Sequence, residues 1–502
     1  MTPIRPLQRL LALLLLLVAS AVEAFDAQRF AAIVERGMAD WQVPGLAAAV
    51  IEDGEVVLAR GFGRTAIDDG APVDAHTPFA NASTTKAMVA AGILMLVDEG
   101  RLSLDEPVIS YLPQLHFADP SLTQQLTLRD LLAHRTGMPS TDFLRFVQGM
   151  TPRQQLQRLR EIEPVAAPRS RLIYQNTMYE LAGLVLEGAA GRSWGAFLAE
   201  RLWGPIGMAD TVARRGDIPA GQAVAMPHDV LDGELRAVGF SRPADEPNAA
   251  GSVWSTIADM ARWAQFLLRG GVTEDGERLL SEAAVAAWFE PAQLAAPEDF
   301  YPVVELTQPR WRSYALGWFQ QDFDGRRIDF HTGSLSGLVA IIGLDRAAQR
   351  AIVVMANRDH AELRHALLWD TLDPAPAAQR RDWHREVLAL YRGLRETDEL
   401  RWQTLRNARL ADLPPTLPAP SYAGHYHSDA WGDLEVRRDG GRWELRADSR
   451  RFALRPWHAD TFLATYPDWR HGSFLTFHIT PDGEVASLEF MDYRFERREA
   501  AP

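Results

Sequence analysis

The sequence predicts an α+β architecture: a large domain whose antiparallel sheet is built from both ends of the domain with helices around it, followed by a small antiparallel β-barrel. Two patterns carry this. Strand-like segments at residues 46–51 and 56–62 are followed by a long helical stretch, and strands return only at 314–320, 328–331, 338–344 and 351–356. Beyond a proline-rich connection, residues 422–497 read as short aromatic strands broken by Asp439-Gly440-Gly441, Tyr466-Pro467-Asp468 and Pro481-Asp482-Gly483.

Taken in order, residues 1–24 read as a signal peptide. Arg5 and Arg9 precede an apolar run at 10–19, and Val22 and Ala24 supply small residues at the −3 and −1 positions, so cleavage is expected after Ala24 and the mature chain is expected to be exported, periplasmic or secreted. The run is short for a membrane span, and no later stretch approaches about 18 uncharged apolar residues, so no transmembrane segment is expected in the mature chain; an uncleaved amino-terminal anchor is the competing reading. Residues 27–41 have helical spacing, and Asp53-Gly54 marks a hairpin between the first two strands. Residues 84–97 are apolar all round and end at Gly100, as a buried helix with a glycine past its end would. Helical patterns at 128–134, 177–187 and 194–202 stand out in the insertion from 102 to 268, and a helix at 361–372 follows the last strand.

The expected domains are therefore residues 25–372, a linker at 373–420 with a charged helix around 380–406 and prolines at 414, 415, 418 and 420, and a barrel at 421–502. Trp431, Trp443, Trp457 and Trp469 are expected to fill the barrel core.

Composition narrows the chemistry. At 47% hydrophobic and 24% charged residues the chain is globular, and a net charge of −14 lacks the footprint of a nucleic-acid binder. The absence of cysteine excludes disulfides, thiol catalysis and thiolate metal sites, and neither His425 with His427 nor His360 with His365 has carboxylates at metal-ligand spacing. No metal or other cofactor is expected. Among 52 basic residues Lys86 is the single lysine; all others are arginine. Arginine serves wherever positive charge alone is needed, but only a desolvated lysine can act as a base near neutral pH.

That lysine lies in Ser83-Thr84-Thr85-Lys86, at the start of the apolar helix. Positions i and i+3 share a helix face, so the amine can lie beside the Ser83 hydroxyl, and a serine next to a neutral amine is an activated nucleophile. The helix N-terminus offers free N–H groups to an oxyanion forming there.

With Ser83–Lys86, the triplets Tyr174-Gln175-Asn176 and His331-Thr332-Gly333 follow in order, and the stretches 131–139 (LLAHRTGMP) and 249–256 (AAGSVWST) support them. On these motifs, over about residues 27–368, the chain resembles the serine β-lactamase and penicillin-recognising enzyme superfamily, in the class C-like branch that includes D-alanyl-D-alanine carboxypeptidases, D-aminopeptidases and esterases. The resemblance implies a β-lactamase/transpeptidase-like fold and a serine hydrolase with Ser83 as nucleophile and Lys86 and Tyr174 managing the proton. Asn176, His331, Thr332 and Gly333 would bind substrate, and the backbone N–H groups of Ser83 and Ser334 would form the oxyanion hole. Tyr174 is expected to have its pKa lowered by the lysine, Asn176 to double as a helix cap, and His331 to point into the cleft and titrate near its ordinary value. Relatives often carry lysine at the His331 position, which makes strong β-lactamase activity doubtful. The implied substrate is a peptide amide, of a D-amino-acid peptide, or an ester; the alternatives are a weak β-lactamase, a penicillin-binding sensor without turnover, and an inactive scaffold. The tail resembles the lipocalin-like domain that often follows this catalytic domain.

Overall fold

The computed structural model describes residues 25–241, 248–376, 379–448, 450–467 and 469–498; the expected signal segment, 1–24, lies outside them. An eight-stranded antiparallel sheet forms the centre of the large domain. Its strands are β1 Gly45–Glu52, β2 Glu55–Gly63, β3 Gln293–Leu294, β4 Arg312–Tyr314, β5 Phe319–Phe323, β6 Arg326–Leu335, β7 Leu338–Asp345 and β8 Arg350–Ala356, in the spatial order β2-β1-β8-β7-β6-β5-β4-β3. The junction of chain ends is the β1–β8 pair, running from Leu46 opposite Ala356 to Ile51 opposite Ala351.

Both faces of this sheet are covered, which explains strands apolar on both sides. On β1, Ala47, Ala49 and Ile51 join one core cluster, and Leu46, Ala48 and Val50 the other. Ala351, Val353 and Met355 of β8 alternate with Ile352 and Val354 in the same way. One cluster packs the sheet against α2 (Thr85–Asp98) and the helical insertion, including α3 (Leu128–Leu132), α4 (Asp142–Phe146), α5 (Asn176–Ala190) and α6 (Ile257–Leu268). The other packs it against α1 (Ala27–Trp41) and α7 (Leu363–Leu372). Every residue of α2 from Thr85 to Leu96 is buried, as its all-round hydrophobicity requires, and Gly100 has the left-handed φ of 69° expected past its end.

Two local expectations differ. Residues 314–320 form the end of β4, a turn and the start of β5 rather than one strand, because Gly317, at φ 88°, reverses the chain where a β-carbon would meet Ala87 Cα at 2.9 Å. Residues 194–202 do not form one regular helix: the α-helical turn Trp194–Leu198 widens into a π-type turn at Ala199–Trp203.

In the connection, α8 (Trp383–Asn407) is capped by Asp382, which accepts a hydrogen bond from Arg385 N at 3.1 Å. Eight strands, β9 Gly424–Ser428, β10 Gly432–Asp439, β11 Arg442–Ala447, β12 Arg450–His458, β13 Thr461–Thr465, β14 Ser473–Ile479, β15 Val485–Phe490 and β16 Tyr493–Arg498, then close into a barrel, with β16 pairing β9. Its interior is filled by Tyr426, Leu445, Phe452, Phe462, Leu475 and Phe477 and their neighbours. The four tryptophans expected there are only half-buried: Trp431, Trp443 and Trp469 pack against the barrel core from its margins, and Trp457 packs on Phe474. No helix of the described residues is long and apolar enough to cross a membrane.

Candidate active site

The site is built around a strained turn. Residues Ala82–Thr84 form a 3₁₀ turn leading into α2, with Ala82 at φ 46°, a left-handed conformation rarely held by residues with a side chain. Hydrogen bonds hold it on both sides: Asn81 N donates to Val253 O at 2.8 Å, and Thr84 donates to Asn81 O through its amide at 3.2 Å and its hydroxyl at 2.9 Å. Such conformations persist only where the surroundings over-determine them. Here Gly333 of β6 is pressed against the turn so closely that a β-carbon would stand 2.3 Å from Asn81 O and 3.0 Å from Ser83 N. The resemblance implies a substrate-binding role for this glycine; in the structure it is the backbone of the Ser83 turn that packs against it.

One turn along, Lys86 is fully buried, with Nζ at 2.9 Å from Ser83 Oγ, 2.9 Å from Asn176 Oδ1 and 2.7 Å from Ala250 O. The rings of Tyr174 and Tyr179 lie 5.0 Å and 5.5 Å from it. Burial pulls its pKa well below the ordinary 10.5, and Arg145 adds to this, while Asp142 and Glu180 oppose it. The partners determine what a neutral Lys86 does. The Asn176 and Ala250 oxygens can only accept, so they take its two N–H groups and leave the lone pair facing Ser83, whose O–H is the one group able to donate to it.

Asn176 is the first residue of α5, preceded by Gln175, and its side chain does not cap the helix. Its Nδ2 instead donates to Asp142 Oδ1 at 2.9 Å, which fixes the amide so that Oδ1 faces Lys86. Burial raises the pKa of Tyr174 well above the ordinary value, with Tyr301 adding to the rise and the neighbouring Ser83 hydroxyl opposing it. The expected lowering is therefore reversed: desolvation dominates, and Tyr174 is a neutral phenol.

His331 also departs from expectation. It lies inside β6 and is 0% exposed, with Nδ1 at 2.6 Å from Thr332 O and Nε2 at 3.0 Å from the Tyr314 hydroxyl. Nδ1 must be the donor, since a carbonyl only accepts, so Nε2 accepts from Tyr314. Burial, then Lys86, lowers its pKa to about 3, so it neither opens to the cleft nor titrates near neutrality. Thr332 Oγ1 is hydrogen-bonded to the Tyr301 hydroxyl. Ser334 is exposed, and its Oγ accepts from Arg364 Nη1 at 3.0 Å. The same guanidinium donates to Gly333 O and is held by Glu362 through contacts of 3.0 and 3.1 Å. Because a trans peptide sets its C=O and N–H on opposite sides, the Ser334 N–H points away from Arg364. The structure thus gathers Ser83, Lys86, Tyr174 and Asn176, and lays the strand bearing His331, Thr332, Gly333 and Ser334 beside them. Among the described residues no group of three or more His, Asp and Glu is placed to hold a metal ion.

Residues 30–375 match the Beta-lactamase family, well over half of the chain. The chain belongs to the Beta-lactamase family. Residues 408–501 match a second family, described as a domain of unknown function, DUF3471. Among relatives, unguisins hydrolase ungD of Aspergillus violaceofuscus is 29% identical over 81% of this chain and 76% of its own length. Protein flp of Staphylococcus aureus is 23% identical over 66% of this chain and 63% of its own. The octameric penicillin-binding protein homologue from Pyrococcus abyssi has a similar fold, with TM-score 0.63 at 23% identity over 94% of this chain and all 100% of that one. D-amino acid amidase from Ochrobactrum anthropi aligns with TM-score 0.54 at 23% identity, over 66% of this chain and 90% of its own.

In this Beta-lactamase family chain several site residues lie outside the motifs. Arg145 pairs with Glu180 at 3.2 Å and donates to Asn248 Oδ1 at 2.7 Å, and Gln155 Nε2 donates to Glu180 Oε2 at 2.7 Å, all buried behind Lys86. Glu180 carried one signal, an acid amid apolar residues one turn after Asn176. Asp142 carried none. It begins α4, whose Phe143 plugs into the barrel, with ring centroids 5.0 Å from Tyr493 and 5.7 Å from Phe495, and counts with Val147 in the barrel's own core.

Proposed function

We propose that the chain is an exported serine hydrolase that forms an acyl-enzyme at Ser83, acting on the amide of a D-amino-acid peptide or on an ester. The observation that carries this reading is the 2.9 Å contact between Ser83 Oγ and a desolvated Lys86 whose other two partners can only accept hydrogen bonds. Ser83 Oγ bonds to the substrate carbonyl carbon while its proton passes to Lys86 Nζ. The oxyanion is held by the backbone N–H groups of Ser83 and Ser334, donors that typically supply a few kcal/mol each. As the bond to the leaving amine or alcohol breaks, the neutral Tyr174 phenol delivers a proton to it and is reprotonated from Lys86. Water then attacks the acyl carbon with Lys86 again accepting the proton, and Lys86 passes that proton to Ser83 Oγ as its bond to the acyl carbon breaks and the acid product leaves.

An amide or neutral ester fits better than a carboxylate-dependent lactam, because the buried, uncharged His331 brings no cation to the position where relatives often have lysine. The names of the unguisins hydrolase and the D-amino acid amidase make amides the first substrates to try. The alternative, a weak β-lactamase or a penicillin-binding protein without turnover, draws on the penicillin-binding homologue of similar fold. We place the catalytic domain at 25–372, the linker at 373–420 and a lipocalin-like barrel at 421–502.

Labelling with a fluorescent fluorophosphonate, followed by hydrolysis of D-amino-acid amides, p-nitrophenyl esters and nitrocefin, tests the reading. Labelling and turnover should vanish in Ser83→Ala; labelling that survives on another serine, Ser334 or Ser336 first, would overturn it. Amino-terminal sequencing of the mature protein tests cleavage after Ala24.

A further inference from the structure

A cavity of about 760 Å³ lies away from Ser83, where α8, the β8–α7 connection, the His228–Leu231 and Glu234–Ala237 hairpin and the barrel turn carrying Arg470 meet. Five arginines line it: Arg358 from the connection, Arg392 and Arg395 one turn apart on α8, Arg406 near the end of that helix, and Arg470. Among the described residues, no carboxylate oxygen lies within 4.0 Å of the guanidinium nitrogens of Arg358, Arg392 or Arg395. Arg358 is only 5% exposed; Nη1 donates to His360 O at 3.3 Å, and the buried Nε has no partner. A buried donor left without an acceptor is costly, and the cost is greater on a charged group.

The acids around the cavity offset these cations only in part: Asp229, Asp359 and Glu362 favour the charged Arg358 but do not outweigh its burial and Arg395. Glu399 is engaged by Arg406 at 2.9 Å and also faces Arg470 at 3.7 Å and His471 at 3.6 Å. Asp229 is held above the ordinary carboxylate range by burial and by Asp359, and Asp232 and Glu396 stand exposed at the rim. The arginines repel one another: burial and then Arg395 pull Arg358 below its ordinary pKa, and burial followed by Arg470 and Arg392 does the same to Arg395.

We infer that this cavity is an anion site, taking a multivalent oxyanion group such as phosphate or clustered carboxylates, which ties Arg358 of the sheet domain to Arg392 and Arg395 of α8 and Arg470 of the barrel. Guanidinium groups bind such oxygens in pairs and in fixed geometry. An anion there would cancel the repulsion and clasp the barrel to the sheet domain. The cavity shares no residue with the Ser83 site, so the inference stands whichever substrate that site takes.

The test titrates the full chain with inorganic phosphate and, separately, citrate by calorimetry at constant ionic strength, and repeats the titrations on Arg395→Gln, Arg358→Gln and, as a control, the exposed Arg385→Gln. Saturable binding of at least one anion to the wild type, about tenfold weaker in the first two variants and unchanged in the third, is expected. A rise in melting temperature with that anion should disappear in the same two variants. Relief of repulsion should also make anion-free Arg395→Gln melt higher than anion-free wild type. Which of phosphate and citrate binds more tightly distinguishes the two anion chemistries. Absence of saturable binding of either anion to the wild type, or equal binding by wild type and Arg395→Gln, would overturn the assignment.

Discussion

Gly333→Ala should disable Ser83 without touching any side chain of the site. The added β-carbon would stand 2.3 Å from Asn81 O, 2.9 Å from Ala82 Cβ and 3.0 Å from Ser83 N. Ordinary contact begins at 3.4 Å, so β6 and the turn would have to separate by about 1 Å. Two of the three obstructing atoms are backbone and the third is a Cβ fixed to it, so no rotamer change relieves the clash. The turn is already strained at Ala82 and has little freedom to yield. Overpacking of this kind costs about 1–3 kcal/mol of stability. The effect on function should be larger, since moving a nucleophile by about 1 Å relative to the groups that stabilise its transition state costs on the order of 10²-fold in rate. The assay is the rate of fluorophosphonate labelling of Ser83, read by intact mass beside a melting curve. Gly393→Ala is the control: Gly393 lies within α8 with nothing near its β-carbon position, so that change should leave labelling intact and stabilise the helix by about 0.5–1 kcal/mol. Labelling of folded Gly333→Ala at the wild-type rate would refute the reasoning, because it would mean that the contact between β6 and the turn does not position Ser83.

Lys86→Arg should abolish turnover although charge is kept, because a guanidinium cannot take the serine proton; activity near that of the wild type would make the lysine purely electrostatic. Lys86 must be neutral to act, and burial holds its pKa below the ordinary 10.5, so kcat/KM should rise with pH along an acid limb whose midpoint lies below 10.5. A profile that falls with rising pH would contradict this. His331 ionises at about 3 when folded against 6.5 when unfolded, so its share of stability is intact above 6.5 and is lost as pH falls toward 3; melting curves of His331→Gln and wild type should therefore diverge least in acid. Because His331 stays neutral, the rate ratio of carboxylate-bearing to neutral esters should be flat between about pH 5 and pH 8, and a ratio that climbs on acidification would show that the histidine does titrate. Arg145→Met should cost about 3–5 kcal/mol by leaving Glu180 buried without its cation, measured by denaturant unfolding.

What the sequence made legible was local. Ser83 and Lys86 are three residues apart on one helix, so their meeting follows from helical spacing, and the period of two in β1 and β8 shows which residues face each core. Proximity made by folding was not legible. Asp142, Arg145 and Glu180 reach Lys86 from two segments that no motif links, and Arg364 holds Gly333 from a helix beyond the last strand. The environment of His331 was misread for a similar reason. Its triplet locates it on a strand, but the packing of Tyr314, Phe319 and Tyr174 around the ring decides that it is desolvated. The Tyr174 pKa reversed sign because burial cannot be read from neighbours in sequence.

The seating of Phe143 in the barrel bears on how this chain could be shortened or recombined. The residue before it, Asp142, orients the amide that faces Lys86, while Phe143 is counted in a core built otherwise from residues far downstream. A chain ended after α8 would leave an aromatic side chain uncovered on a five-residue helix too short to hold its shape alone. The boundary visible in the sequence is thus not a boundary of cooperativity, and grafting a foreign tail onto residues 25–372 would succeed only if it brought its own socket for that ring.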